Sequence, residues 1–326
     1  MMRELQSILL SDMPLLISAD GYRRLMVSAF PLVTPTEFFF ESKTYEQESR
    51  EAFEALRKAI GPKLRQLARQ AVTARPGDDP DINLTMDYDD PDLQEDSIAY
   101  HRVFGIITAS SRWYFSSQRM ERDLLAAEQN PLICGHLIHV SSPGGEAWYL
   151  DRLDETLRQL EKPVVVIYEM ACSAAYHIAC HGRRVYATTD FDFVGCIGTM
   201  VSFYDFRDYY AKLGIREVTA KADGSDLKNK MFDDLRDGKP RQYVESVLNP
   251  LNAVFLDTVR RQRKPLASLD DDAPVLRGET YYTDAAVEVG LCDGRRTLPE
   301  AVAECWQLGR EWSDSRRTRL ALYNAL

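Results

Sequence analysis

The sequence predicts an α/β fold of mostly parallel strands joined by crossover helices, preceded by a mainly helical N-terminal region. Three observations carry this expectation. Short runs rich in β-branched and apolar residues recur at 132–140, 164–167 and 183–188, as buried strands do. Amphipathic helical stretches lie between and beyond them, at 118–128, 147–160 and 206–213. The strands end in turns of small residues, the pattern of a strand feeding a crossover helix.

In chain order, residues 1–41 mix apolar pieces with Pro14, Pro31 and Pro35 and read as short helices. Residues 44–74 read as one helix, with Phe53, Leu56, Ile60, Leu64, Leu67 and Val72 at helical spacing and Gly61-Pro62 expected to break or kink it. Its apolar stripe fits an oligomerisation helix and a helix packed on its own domain equally well. Residues 76–96 carry nine acidic groups and no basic one, and read as a linker. Strand-like residues follow at 99–108, then helix at 118–128, strand at 132–140, and a helix with Leu150, Leu153, Leu157 and Leu160 on one face. After the strand at 164–167 and its turn come strands at 183–188, 193–201 and 215–219, a helix at 206–213 and a long helix at 241–262 with a kink at Pro250. Residues 278–294 close the core, and the polar, basic stretch from Glu311 carries no reading of its own. The expected division is a helical N-terminal region at 1–75, an acidic linker at 76–97, a core at 98–295 and a C-terminal helical tail at 296–326.

Composition narrows the function classes. The chain has 326 residues, 45% of them hydrophobic and 28% charged, which suits a soluble globular protein of roughly two domains. Fifty acidic residues face forty basic ones; removing the nine of 76–96 leaves 41 against 40, so the acidity belongs to that one stretch. No basic stripe stands out, and nucleic acid is not an expected partner. No apolar stretch reaches the ~20 residues of a membrane span, and no basic segment followed by a long apolar core opens the chain, so neither a transmembrane helix nor a signal peptide is expected. The six cysteines are scattered, with no C-x-x-C pair, and read as reduced, buried thiols of a cytoplasmic protein. His177 and His181 are spaced i, i+4 with no evident third ligand, so no metal and no cofactor is expected.

One constellation carries chemistry. Ser173 stands at a strand-to-helix turn, Ala171-Cys172-Ser173-Ala174-Ala175, where free backbone N–H groups favour developing negative charge. The alternative is a plain N-cap. Ser142-Pro143-Gly144-Gly145 follows a buried strand, and its two glycines leave backbone N–H groups unobstructed, as an oxyanion hole needs, though such a run also makes an ordinary turn. Third is a lysine-bearing loop with Lys221, Lys228 and Lys230; a lysine replaces histidine as the base for a serine where burial lowers its pKa toward neutral, whereas most loop lysines are simply solvated.

The order Ser142-Pro-Gly-Gly, Ala-Cys-Ser173-Ala-Ala-Tyr-His-Ile-Ala, Val-Gly-Cys-Ile-Gly198 and then a lysine loop resembles the signal peptide peptidase A (protease IV) family of Ser-Lys dyad serine peptidases. The resemblance covers roughly residues 98–295, including Gly278…Gly290-Leu291-Cys-Asp293, which looks like the family's closing element. It implies a Clp/crotonase-like fold, a homo-oligomer in rings or domes, and a polypeptide substrate cleaved through an acyl-enzyme. It assigns Ser173 as nucleophile, Lys228 as general base, and the backbone N–H groups of Gly144 or Gly145 and of Ala174 to the oxyanion. An extra N-terminal region is similar to cytoplasmic and phage- or prophage-encoded members, some of which process capsid or scaffold proteins. The chain departs from the family in having Ala174-Ala175 where Gly-Gly is usual, Cys196 where serine is common, and three lysines in the loop. Rival readings are a Ser-His peptidase using His177, a Cys172 nucleophile, and a catalytically silent relative kept as an assembly module. No histidine follows His181, which removes the base of a Clp-type triad.

Overall fold

The computed structural model describes residues 15–17, 43–71 and 81–324. Most of the expected N-terminal region, and residues 76–80 of the acidic stretch, lie outside the described residues.

The strands in chain order are β1 (Leu15–Ile17), β2 (Leu84–Thr85), β3 (Ser97–Phe104), β4 (Ile107–Thr108), β5 (Phe115–Ser116), β6 (Ile133–Ser142), β7 (Gly144–Glu146), β8 (Val164–Cys172), β9 (Arg184–Ala187), β10 (Phe193–Gly195), β11 (Thr280–Tyr282) and β12 (Gly294–Arg295). The helices that matter below are α1 (Tyr45–Gln70), α2 (Ser117–Gln129), α3 (Leu150–Gln159), α4 (Ala174–Ala179), α5 (Arg207–Lys212), α6 (Lys230–Arg236), α7 (Asn249–Gln262), α8 (Thr283–Val289) and α9 (Leu298–Asn324). The main sheet runs β11-β10-β8-β6-β3-β2, with β9 also beside β8 and β12 beside β9. Apart from β11, which is antiparallel to β10, its pairings are parallel. A small second sheet runs β1-β7-β4-β5. This is the mostly parallel α/β architecture with crossover helices that the sequence predicts, and it accords with a Clp/crotonase-like fold.

Both faces of the main sheet are apolar, as a covered parallel sheet requires. Along β8 the side chains alternate: Val165 and Ile167 join a core with Phe53, Leu64, Ala301 and Trp306, while Val166 and Tyr168 join one with Leu124, Leu153, Ile178 and Phe255. Helices α1 and α9 therefore cover one face, and α2, α3, α4 and α7 the other. The packing of α1 against its own domain decides between the two readings of its apolar stripe. Its N-terminus is closed by a capping box in which the Thr44 hydroxyl accepts from the Gln47 amide and the Gln47 side chain accepts from the Thr44 amide.

Several elements differ from the expectation, each for a physical reason. Helix α1 runs through Pro62 without ending; Phe53 before it and Leu64 and Ala68 after it are all buried, so packing on both sides holds the helix across the missing hydrogen bond. The described part of the acidic stretch, 81–96, is no simple linker. Ile82, Leu84 and Tyr88 are buried, and β2 adds a parallel strand beside β3. The stretch expected as a strand at 193–201 stops at Gly195, because Cys196 turns out of the strand at φ 54° and its amide donates to the Glu279 carbonyl at 2.9 Å. Residues 215–219 form no strand. The long helix at 241–262 is interrupted by a π-helical stretch, Val244–Leu248, just ahead of Pro250, the kind of local irregularity that accommodates a proline within a helix. The basic stretch beyond Glu311 continues α9.

Candidate active site

Strands β6 and β8 are parallel neighbours, with Ser142 paired to Ala171. Their carboxyl ends therefore deliver the Pro143-Gly144-Gly145 turn and the Cys172-Ser173 turn to the same edge of the sheet, where open α/β sheets place their sites. Strand β10 brings a third end, Gly195 beside Cys172. The Ser173 amide donates to the Gly195 carbonyl at 2.8 Å, which ties the turn to β10.

Ser173 is buried, 1% exposed, and stands at φ 56°, ψ −121°. This is the first-central-residue geometry of a type II′ turn, which favours glycine; a serine held there stores on the order of 1–3 kcal/mol of strain. Its carbonyl accepts from the Tyr176 and His177 amides, starting α4, but its hydroxyl makes no capping bond. The plain N-cap reading therefore fails: the side chain is not spent on the helix. By helix geometry the first amides of α4, Ala174 among them, have no intrahelical acceptor.

The Gly144-Gly145 turn is built by close backbone approach. A Cβ on Gly145 would lie 1.9 Å from the Ile107 carbonyl oxygen of β4, so only glycine fits. The Gly144 amide donates to Ser142 Oγ at 3.1 Å. Glu146 fastens the other end of β7 by accepting from the Ala109 amide at 2.7 Å. Glu146 does not stand out in the sequence as a site residue, because its partner is set by tertiary contact, and Ser142 is legible there only as the start of the Pro-Gly-Gly turn.

Lys228 sits elsewhere, on an exposed arm. Helices α5 and α6 and the 3-10 turn Asp223–Ser225 before Lys228 bury no residue. The arm is laced by charge: Arg207 binds Asp205 and Asp237, and Arg236 reaches Glu217 and Asp233. Of the three loop lysines, Lys221 pairs with Asp233 at 3.1 Å and Lys230 with Asp234 at 2.6 Å, whereas Lys228 has no ion-pair partner among the described residues. Lys228 is itself exposed, and no hydrogen bond joins it to Ser173. The structure thus brings Ser173, Ala174, Gly144 and Gly145 to one edge of the sheet and leaves Lys228 on the arm.

The rivals fare worse. Cys172 is fully buried and burial pushes its thiol up, away from the thiolate a nucleophile needs. His177 is buried with its ring 5.0 Å from that of Phe255. Burial, reinforced by the neighbouring His181, pulls it down to about 4. His181 is bound by Asp154 at 2.9 Å. No hydrogen bond joins the His177 ring to the Ser173 hydroxyl among the described residues. Beside α4 lies an apolar pocket of about 520 Å³, lined by Trp148, Leu150, His177, Val247, Leu251 and Phe255.

The closing element works as a clasp beneath this site. The Tyr176 hydroxyl, on α4, donates to the Leu291 carbonyl at 2.9 Å. Asp293 accepts from the Val185 amide of β9 and takes two hydrogen bonds from the Arg263 guanidinium just beyond α7. Among the described residues no helix is long and apolar enough to cross a membrane.

The signature of peptidase family S49 matches residues 156–310, a stretch that takes in Ser173 and Lys228 and leaves out Gly144 and Gly145. The chain is 27% identical over 184 residues to a provisionally named protease of Methanocaldococcus jannaschii, covering 56% of this chain and 58% of that protein. It is 25% identical over 191 residues to a provisionally named signal peptide peptidase SppA of Enterococcus faecium, covering 56% of this chain and 53% of that protein. The matched stretch thus spans little more than half the length of these curated relatives. The strand ends, the turns and the matched stretch agree in likening residues 156–310 to a peptidase family S49 domain.

Proposed function

We propose that the protein is a serine endopeptidase that cleaves extended polypeptide through an acyl-enzyme. The observation that carries this reading is Ser173: buried, strained at positive φ, and with its hydroxyl unused by the helix it begins. Strain of this kind persists where a reacting atom must be held in one place. In the proposed reaction Ser173 Oγ attacks the scissile carbonyl and its proton passes to Lys228. The oxyanion is held by the amides of Ala174 and of Gly144 or Gly145. The amine of the leaving fragment takes the proton back, and water then releases the acyl group. The apolar pocket beside α4 suits a small or apolar substrate side chain.

A base must be neutral to accept the proton, and among the described residues nothing covers Lys228 on its arm. Something must cover that arm. Tyr204, Tyr209, Leu213, Ile215, Val218 and Leu227 are all exposed along it, and so many exposed apolar side chains suit an association site. A homo-oligomer is the arrangement this supports. Light scattering at micromolar concentration is expected to return a multiple of the 37.2 kDa chain mass; the single-chain mass would contradict it. All six cysteines are free, which suits a reducing, cytoplasmic setting. A phage scaffold or capsid precursor is the substrate that the resemblance to phage-encoded members favours.

The test is digestion of an unfolded-protein peptide library, read as new N-termini by mass spectrometry. New termini after small or apolar residues, absent with Ser173→Ala, are expected. A wild-type digest with no new termini would overturn the reading.

A further inference from the structure

The second sheet holds an arrangement that the catalytic reading does not use. Strand β7 has two edges. One pairs with β4, with Ile107 opposite Gly145. The other is taken by β1, from far up the chain, antiparallel, with Leu15 opposite Glu146, Leu16 opposite Gly145 and Ile17 opposite Gly144. Without β1, the Gly144–Glu146 backbone would be an unpaired strand edge, a template for any extended chain. Two glycines in succession leave that edge free of side-chain obstruction. Strand β7 also starts beside the chemistry, since it leaves β6 at Ser142, whose neighbour in the sheet is Ala171, just before the Ser173 turn.

We infer that residues 15–17 are a built-in pseudosubstrate strand that occupies the edge of β7 on which an extended substrate pairs. The inference rests on the peptidase reading for what the edge would otherwise bind. Recognition by strand addition draws its affinity from main-chain hydrogen bonds, so a segment of the same chain competes for the same groups. Leu15, Leu16 and Ile17 are apolar and extended, of the chemistry such an edge accepts. Tethering gives the strand an effective concentration in the millimolar range. A substrate must displace it, so it raises KM and leaves kcat alone.

Leu16→Pro in the full-length protein tests this. Proline removes the backbone N–H and cannot sit in a paired strand of this kind. Two readouts are followed: amide hydrogen exchange of residues 144–146, and KM and kcat for an extended peptide. The expected result is faster exchange at 144–146 with a fall in KM on the order of fivefold and unchanged kcat. A synthetic peptide of residues 11–20 added to the variant should restore the higher apparent KM competitively. Equal exchange in wild type and variant would overturn the inference, because β1 would then not be holding the edge. Faster exchange with unchanged KM would overturn it equally. The exchange readout needs no turnover, so it separates failure of this inference from failure of the peptidase reading.

Discussion

Ser173→Gly is expected to abolish peptide hydrolysis, by at least about a thousandfold, while raising the melting temperature. The loss follows from removing the only atom that forms the acyl bond. The gain follows from the backbone: φ 56°, ψ −121° is costly for serine and ordinary for glycine. Relief of strain is offset in part by the greater freedom of glycine in the unfolded chain, leaving a net gain of about 1 kcal/mol, or about 2 °C. Ser173→Ala keeps the strain and also loses activity, with little change in stability because no capping bond is broken. A residue that only capped the helix would behave in the opposite way, with Ala costing about 1 kcal/mol and activity intact. Thermal unfolding and peptide turnover on the two variants separate these patterns.

Lys228→Ala is expected to lower turnover by about a hundred- to ten-thousandfold, the range for loss of a general base, with the oligomer size unchanged. Lys228→Arg should be as damaging, because a guanidinium does not give up its proton. Lys221→Ala and Lys230→Ala should have little effect. Their ammonium groups are held by Asp233 and Asp234 in solvent-facing pairs, which contribute little. The measurement is kcat on one peptide substrate for the four variants, each checked by light scattering. Near-normal turnover in Lys228→Ala with loss in one of the others would move the base to that lysine. Full turnover in all four would remove lysine from the mechanism.

The parts of this protein legible in its sequence are those governed by local pattern. The β-branched run of β8, the small-residue turn at Ser173 and the amphipathic stripe of α3 each follow from spacing alone, and each forms where expected. What the pattern hides is set by distant partners. Ile82, Leu84, Met86 and Tyr88 alternate with polar residues at the period of a strand, but the surrounding acidic charge masks them, and β2 forms only because β3 lies beside it. Gly145 is legible as a turn glycine, whereas its requirement comes from the Ile107 carbonyl of another strand. Strand β1 has no signal of its own, since three apolar residues after a proline define nothing until β7 offers an edge. The exposure of Lys228 is equally invisible, because a loop's burial depends on what packs over it.

The central claim, that Ser173 is the nucleophile, is tested most directly by covalent labelling. The full-length protein is treated with a fluorophosphonate serine probe, digested, and the modified residue mapped by mass spectrometry, with residual peptide hydrolysis followed in parallel. The account predicts a single adduct on Ser173 that accumulates in step with the loss of activity and is absent from Ser173→Ala. Hydrolysis that persists at full rate after complete labelling of Ser173, or inactivation that tracks modification of a different residue, would contradict it.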